Sequence, residues 1–221
     1  MLQSLEQEDN YKYKGLRKKL VEQLKEKGIS DNTVLAAIEK IPRHFFLDTA
    51  FQHIAYEDRA FPIAAGQTIS QPYTVAYQSQ LLEIKKFDKV LEIGTGSAYQ
   101  SCVLAEMGAT VHTIERQREL FDFVGKFFFL KRYPSIKRHY GDGYEGMASY
   151  APFDKVIVTA AAPYVPPKLI EQLKPKGIAV IPVGDDSGQK MYRIKKDADG
   201  NVTEDILGDF SFVPMLGGKN N

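Results

Sequence analysis

The residues best suited to chemistry lie in the stretch Val90-Leu91-Glu92-Ile93-Gly94-Thr95-Gly96-Ser97, an apolar run carrying an acid and ending in a glycine turn. Glycines let a backbone turn tightly and approach a ligand closely. Two more acids close later apolar runs: Glu115 ends Ala-Thr-Val-His-Thr-Ile-Glu, and Asp142 stands between Gly141 and Gly143. A carboxylate at Glu115 can accept hydrogen bonds from both hydroxyls of a ribose. Asp142 can accept from an adenine amino group. A dinucleotide fingerprint would place a third glycine at position 99, which is Tyr99. Glu92, two residues before Gly94, would repel a pyrophosphate but suits an ammonium or another cation. S-adenosylmethionine meets these demands: a nucleoside with an ammonium and a sulfonium, and no phosphate. The plainer alternative makes Glu115 and Asp142 ordinary capping or turn acids.

The acceptor is read from a second stretch, Gly66-Gln67-Thr68-Ile69-Ser70-Gln71-Pro72-Tyr73. Ser70 can cap the helix that Pro72 starts, or stand in an active site. Methyl transfer is an in-line displacement that mainly needs positioning and exclusion of water. The loop Thr159-Ala160-Ala161-Ala162-Pro163 has no polar amide or carboxylate to hold an exocyclic amine. His44, His53, His112 and His139 show no spacing that suggests a base or a metal site, and structural roles are expected for all four. A carboxylate acceptor suits this scarcity, because with a pKa of about 4 it is already ionised at neutral pH. It needs hydrogen-bond donors, which a serine hydroxyl and backbone N–H groups can supply.

These residues need a scaffold. Short apolar runs (residues 88–93, 109–115 and 136–140, the run within Phe-Asp-Lys-Val-Ile-Val, and residues 177–184) alternate with helix-like segments (97–107, a segment carrying Leu120, Phe121, Val124, Phe127 and Phe128, and 167–173). That alternation predicts an α/β fold, doubly wound, with a mostly parallel sheet covered on both faces. Asp-Ala-Asp-Gly-Asn between Gln-Lys-Met-Tyr-Arg-Ile-Lys-Lys and the segment from Val202 predicts a hairpin, hence an antiparallel C-terminal edge. Upstream, 3–4 spacing of Leu16, Leu20, Val21 and Leu24 predicts a helix ending near Gly28, and Ser30-Asp31 can cap a second that Pro42 ends. An irregular aromatic region of loops and short strands follows. Residues 1–65 are thus expected as an N-terminal helical and irregular extension packed on a core of residues 66–221.

The chain has 221 residues, 43% of them hydrophobic and 26% charged, and a net charge of +1. Such a balance makes no electrostatic case for nucleic acid, and the basic run from Lys12 to Leu20 reads as a solvated helix face. Cys102 is the single cysteine, in an apolar run, and an inert buried thiol is expected. The N-terminus lacks the pattern of a secretory signal, and no apolar run nears the roughly 20 residues that span a bilayer. The expected compartment is the cytosol, with no membrane partner.

In these motifs the chain resembles the protein-L-isoaspartate (D-aspartate) O-methyltransferases. The resemblance runs through AYEDRAFPI, GQTISQPYTVA, VLEIGTGSAYQS, TIE, GDG, FDKVIVTAAAP, PPKLIEQLKPKGIAVIPVG and FVPMLGG, in family order over roughly residues 40–218. It implies the sheet of S-adenosylmethionine-dependent methyltransferases, with that molecule as cofactor and no metal. It further implies methyl transfer to the free carboxylate of L-isoaspartyl residues in damaged proteins and peptides, with D-aspartyl residues a weaker substrate, by a monomer. The ester then collapses to a succinimide, which partly reopens to aspartate. By position, Ser70 takes the place of the active-site serine. Thr68 and Ile69 of the same loop, Glu92, Gly94, Thr95, Gly96 and Ser97 of the glycine motif, Glu115, and Asp142-Gly143 fall on the cofactor side. Val213 and Pro214 fall on the element that helps cover the peptide. Ala98 stands where glycine is usual, and Leu216 where threonine is common. A methyltransferase for small-molecule carboxylates would keep the turn and the three acids but gives no reason for GQTISQPY. That loop also argues against a non-catalytic nucleotide-binding module.

Overall fold

Side-chain caps start the first two helices. Asn10 accepts from the Tyr13 N–H and begins α1 (Tyr11–Glu26), and Asp31 accepts from Thr33 and Val34 and begins α2 (Asn32–Lys40). The computed structural model describes residues 8–185 and 187–220. After Pro42 the chain makes 3-10 turns at Arg43–Phe46 and Thr49–Ile54. It then forms a two-residue ribbon, β1 (Phe61–Pro62) against β2 (Thr68–Ile69), before α3 (Pro72–Leu82).

The alternating part follows as β3 (Lys89–Ile93), α4 (Tyr99–Glu106), β4 (Thr110–Glu115), α5 (Arg118–Gly125), β5 (Ile136–Tyr140), β6 (Phe153–Val158), α6 (Pro167–Glu171) and β7 (Leu173–Asp185). A hairpin, β8 (Gly188–Lys196) and β9 (Val202–Phe210), completes one sheet in the order β5-β4-β3-β6-β7-β8-β9. Strands β3 to β7 pair in parallel, while β8 and β9 add antiparallel, as the hairpin signal requires. The order reverses between β3 and β6, and a crevice opens there at the strands' C-terminal ends.

Two element ends differ from their apolar pattern. The predicted helix through Phe128 stops at Gly125, against which the Arg138 guanidinium packs, and Phe128–Arg132 continues as a 3-10 turn. The helix expected over 167–173 ends at Glu171, because Leu173 already pairs with Phe153 as the start of β7. The hydrophobic core runs through residue 65 without a break: Leu20, Leu24, Val34 and Ile38 lie in one buried cluster with Val75, Tyr99, Cys102 and Val103. The Cys102 thiol is fully buried, and burial drives its pKa well up, which suits an inert role.

Candidate active site

The glycine turn is shaped by its contacts. Gly94 has φ of +95°, and a Cβ there would lie 2.5 Å from Thr159 Oγ1. Thr159 is pinned in turn, its hydroxyl 2.7 Å from the Gly94 carbonyl oxygen and 3.0 Å from that of Ile93. The Thr95 hydroxyl is 2.8 Å from that of Thr113 on β4. Ala98, at φ +67°, takes the left-handed conformation from which α4 starts.

The three acids have different surroundings. The Glu115 carboxylate accepts from the Gly96 N–H at 3.0 Å and the Gln117 N–H at 2.8 Å, and it lines the cavity over the turn. Asp142 accepts from Tyr144 N–H at 2.9 Å and Gly218 N–H at 2.7 Å; its neighbour Gly143, rather than Asp142, lines the cavity. A Cβ on Gly143 would strike Ile93 at 2.3 Å, so glycine lets β5's exit loop press against the end of β3. Glu92 is fully buried behind the turn and is not among the residues lining the cavity. Burial drives its pKa up to about 7, opposed by hydrogen bonds from Ser101 and Thr113 and assisted by the charge of Glu115. Its place is that of a brace joining β3 to α4 through Ser101.

The cavity runs over the ends of β3, β4 and β6. The predicted residues Thr68, Ile69, Ser70, Gly94, Thr95, Gly96, Ser97, Glu115, Gly143, Val213 and Pro214 all line it. Its roof is a C-terminal strap. Ala161 pairs with the strap through N–H···O contacts of 2.8 Å to Val213 and 2.7 Å from Met215. Arg116 donates to the Gly218 carbonyl at 3.0 Å and the Gly217 carbonyl at 3.2 Å. Arg116, Gln67, Tyr99, Gln100, Thr159 and Met215 also line the cavity and were not picked out as site residues from the sequence. The strand-end rule could have found Thr159 and Arg116; nothing local marks Met215. Leu216 lies on the wall too, in place of the more usual hydroxyl.

Ser70 occupies a junction. A second, outer groove is lined by Gln71, Tyr73, Thr74, Asp209, Phe210 and Phe212, among others, and Thr68, Ser70, Thr159 and Val213 border both spaces. The helix-capping role expected of Ser70 falls to Asp58, whose carboxylate accepts from the Tyr73 N–H at 2.7 Å. The Ser70 hydroxyl makes no hydrogen bond among the described residues, while its carbonyl accepts from Arg43 at 2.8 Å. None of the four histidines lines either space. His112 and His139 lie against each other with ring nitrogens 3.3 Å apart, and His44 is 2.7 Å from the Tyr56 hydroxyl. Among the described residues no cluster of three or more His, Cys, Asp and Glu could hold a metal ion.

Among the described residues Arg116 is the single cation on the cavity wall, and its guanidinium donates to strap carbonyls. A glycine cradle, a ribose-type acid and no cation set aside for phosphate fit a nucleoside ligand without phosphate. Sheet, switch point and cavity are those of an S-adenosylmethionine-dependent methyltransferase. The family model of protein-L-isoaspartate (D-aspartate) O-methyltransferase matches residues 15–220, and the chain belongs to that family. The protein-L-isoaspartate O-methyltransferase of Cytophaga hutchinsonii is 54% identical over 210 residues, covering 95% of each chain. That of Flavobacterium johnsoniae is 52% identical, covering 96% of this chain and 99% of its own. A solved protein-L-isoaspartate O-methyltransferase superposes with TM-score 0.82 at 26% identity, over 91% of this chain and 66% of that longer one. A Plasmodium falciparum structure of the same description, in complex with S-adenosyl-L-homocysteine, superposes with TM-score 0.76 at 27% identity, over 90% of this chain and 98% of that one.

Proposed function

We infer that this protein-repair methyltransferase carries a methyl group to the free carboxylate of an L-isoaspartyl residue, with Ser70 at the point of transfer. The observation that carries this reading is the position of Ser70: an uncommitted hydroxyl on the wall shared by the donor cavity and the outer groove. Bound S-adenosylmethionine supplies an electrophilic methyl group on a sulfonium. Glu115 would hold the ribose, Gly143 would flank the base, and the turn from Gly94 to Ser97 would face the amino-acid end. The acceptor carboxylate is ionised at neutral pH, so this chain need supply no base; transfer would join one carboxylate oxygen to that methyl group and release the sulfonium as a neutral thioether. The Ser70 hydroxyl donates to the carboxylate and aims it, while the strap and the Thr68–Ser70 loop exclude water.

The groove beyond Ser70 is open and lined by Tyr73, Phe210 and Phe212, which suits an extended peptide better than a compact metabolite. The reading includes weaker action on D-aspartyl residues, a monomer, a cytosolic site of action and no nucleic-acid partner; the balanced charge of +1 supports the last. No helix of the described residues is long and apolar enough to cross a membrane. The test is incubation with labelled S-adenosylmethionine and two matched peptides, one with L-isoaspartate and one with aspartate. Base-labile label only in the first is expected. Equal labelling of both, or none with the cofactor bound, would overturn the reading.

A further inference from the structure

Arg43 is fully buried, yet among the described residues no carboxylate forms an ion pair with it. The Asp58 carboxylate acts on it only through space, without a direct ion pair, and a cation buried in this way works against stability. Burial brings its pKa down to about 10, which leaves the guanidinium charged at neutral pH. Nε donates to the Ala55 carbonyl at 3.1 Å and Nη2 to those of Ser70 at 2.8 Å and Arg59 at 3.5 Å, while Nη1 has no hydrogen-bond partner among the described residues. Its Cζ also lies 4.9 Å from the centre of the Tyr99 ring. Tyr99 is the first residue of α4, directly after the glycine turn, and it lines the donor cavity.

One rigid, planar group thus touches both sides of the transfer: the peptide of the serine loop and the residue that closes the cofactor turn. Anchoring the Ser70 carbonyl orients that peptide, and with it the Cα–Cβ bond that directs the hydroxyl. Resting on the reading of Ser70 above, we propose that Arg43 is a positioning residue of the methyl transfer, holding Ser70 in register with the donor-side turn. Lysine keeps the charge but lacks the planar fork that reaches the Ala55 and Ser70 carbonyls together.

The test uses the full chain with an isoaspartyl peptide and compares Arg43→Lys, Ser70→Ala and the double variant. A misplacement of the order of 1 Å in a reacting site costs about 10²-fold in rate. Arg43→Lys is therefore expected to lower kcat by about that factor while binding S-adenosyl-L-homocysteine within about twofold of wild type. On the Ser70→Ala background the same change should cost less than about threefold, because the group it positions is gone. Faster amide exchange at residues 66–71, beyond any change around Ala55 and Arg59, is the matching structural signature. Should the lysine variant not fold, Arg43→Gln is carried through the same cycle. Unchanged kcat overturns the proposal. So does an undiminished loss on the Ser70→Ala background, or a loss of cofactor affinity in step with kcat, since each marks general structural damage. A wild-type enzyme that leaves the isoaspartyl peptide unlabelled defeats the reading of the substrate instead; amide exchange of the serine loop would still judge the hold that Arg43 has on it.

Discussion

Asp58 caps α3 from outside the helix: its Oδ1 lies 2.7 Å from the Tyr73 N–H, fifteen residues along the chain. With its other carboxylate oxygen it holds Lys27 of the neighbouring segment at 2.6 Å. The helix that follows the serine loop therefore has its first turn satisfied without the serine. This frees the Ser70 side chain to face the two spaces it borders.

Asp58→Ala is accordingly expected to destabilise the protein by about 1 kcal/mol, the usual worth of a lost N-cap. Ser70→Ala should leave stability within about 0.5 kcal/mol of wild type. Chemical denaturation of the two variants side by side checks the assignment. The reverse ranking would return the cap to Ser70.

Activity should divide in the opposite way. With Ser70 in the proposed role, Ser70→Ala removes one hydrogen-bond donor to the acceptor and is expected to lower kcat by about 10²-fold. Cofactor affinity, measured by calorimetry with S-adenosyl-L-homocysteine, should stay unchanged. Full turnover in this variant would remove Ser70 from the transfer step.

Glu115→Ala should weaken cofactor binding by about 1.5–3 kcal/mol, the value of hydrogen bonds to a charged acceptor. It also leaves the Gly96 and Gln117 N–H groups without their partner, so the melting temperature falls with it. Calorimetry on the folded fraction separates the two effects. Unaltered affinity there would mean that the ribose is held by another group.

Glu92 gives stability a specific pH dependence. Its folded pKa, about 7, stands above its ordinary 4.5, so the folded protein binds the proton more tightly than the unfolded chain. Its contribution is complete below about pH 4.5 and is lost as pH rises through 7, at about 1.4 kcal/mol for each unit between. Glu92→Gln should flatten that part of the stability profile between pH 5 and 7. Identical slopes for variant and wild type would show that the carboxyl is not the group titrating.

Gly94→Ala puts a methyl group 2.5 Å from Thr159 Oγ1 at a backbone angle of +95° that side chains resist. Loss of measurable cofactor binding is expected. Thr159→Ala/Gly94→Ala should recover part of it, because the clash is with that hydroxyl and the remaining strain is the backbone's own. No recovery would place the damage in the turn alone.

What the sequence discloses is local. The glycine turn, the acid at Glu115 and the β8–β9 hairpin each sit within a few residues of the pattern that betrays them. Glu92 and Ser70 show the limit. An acid two residues before the turn reads as facing the ligand, while in the fold it is buried beside the turn, hydrogen-bonded by Ser101 and Thr113 on neighbouring elements. Ser70 looks like a cap because the true cap, Asp58, is distant in sequence. Arg43, Thr159 and the Gly218 N–H that binds Asp142 act across still longer separations, and no short window holds both partners.

Thr68, Ser70, Thr159 and Val213 form a party wall between the inner cavity and the outer groove. A substitution that reshapes the outer groove at any of these positions also alters the inner cavity. Retuning acceptor preference is open mainly at positions that touch the groove alone, such as Tyr73, Asp209 and Phe212. The architecture thereby couples the shapes of the two spaces at the wall while leaving the far side of the groove free to diversify.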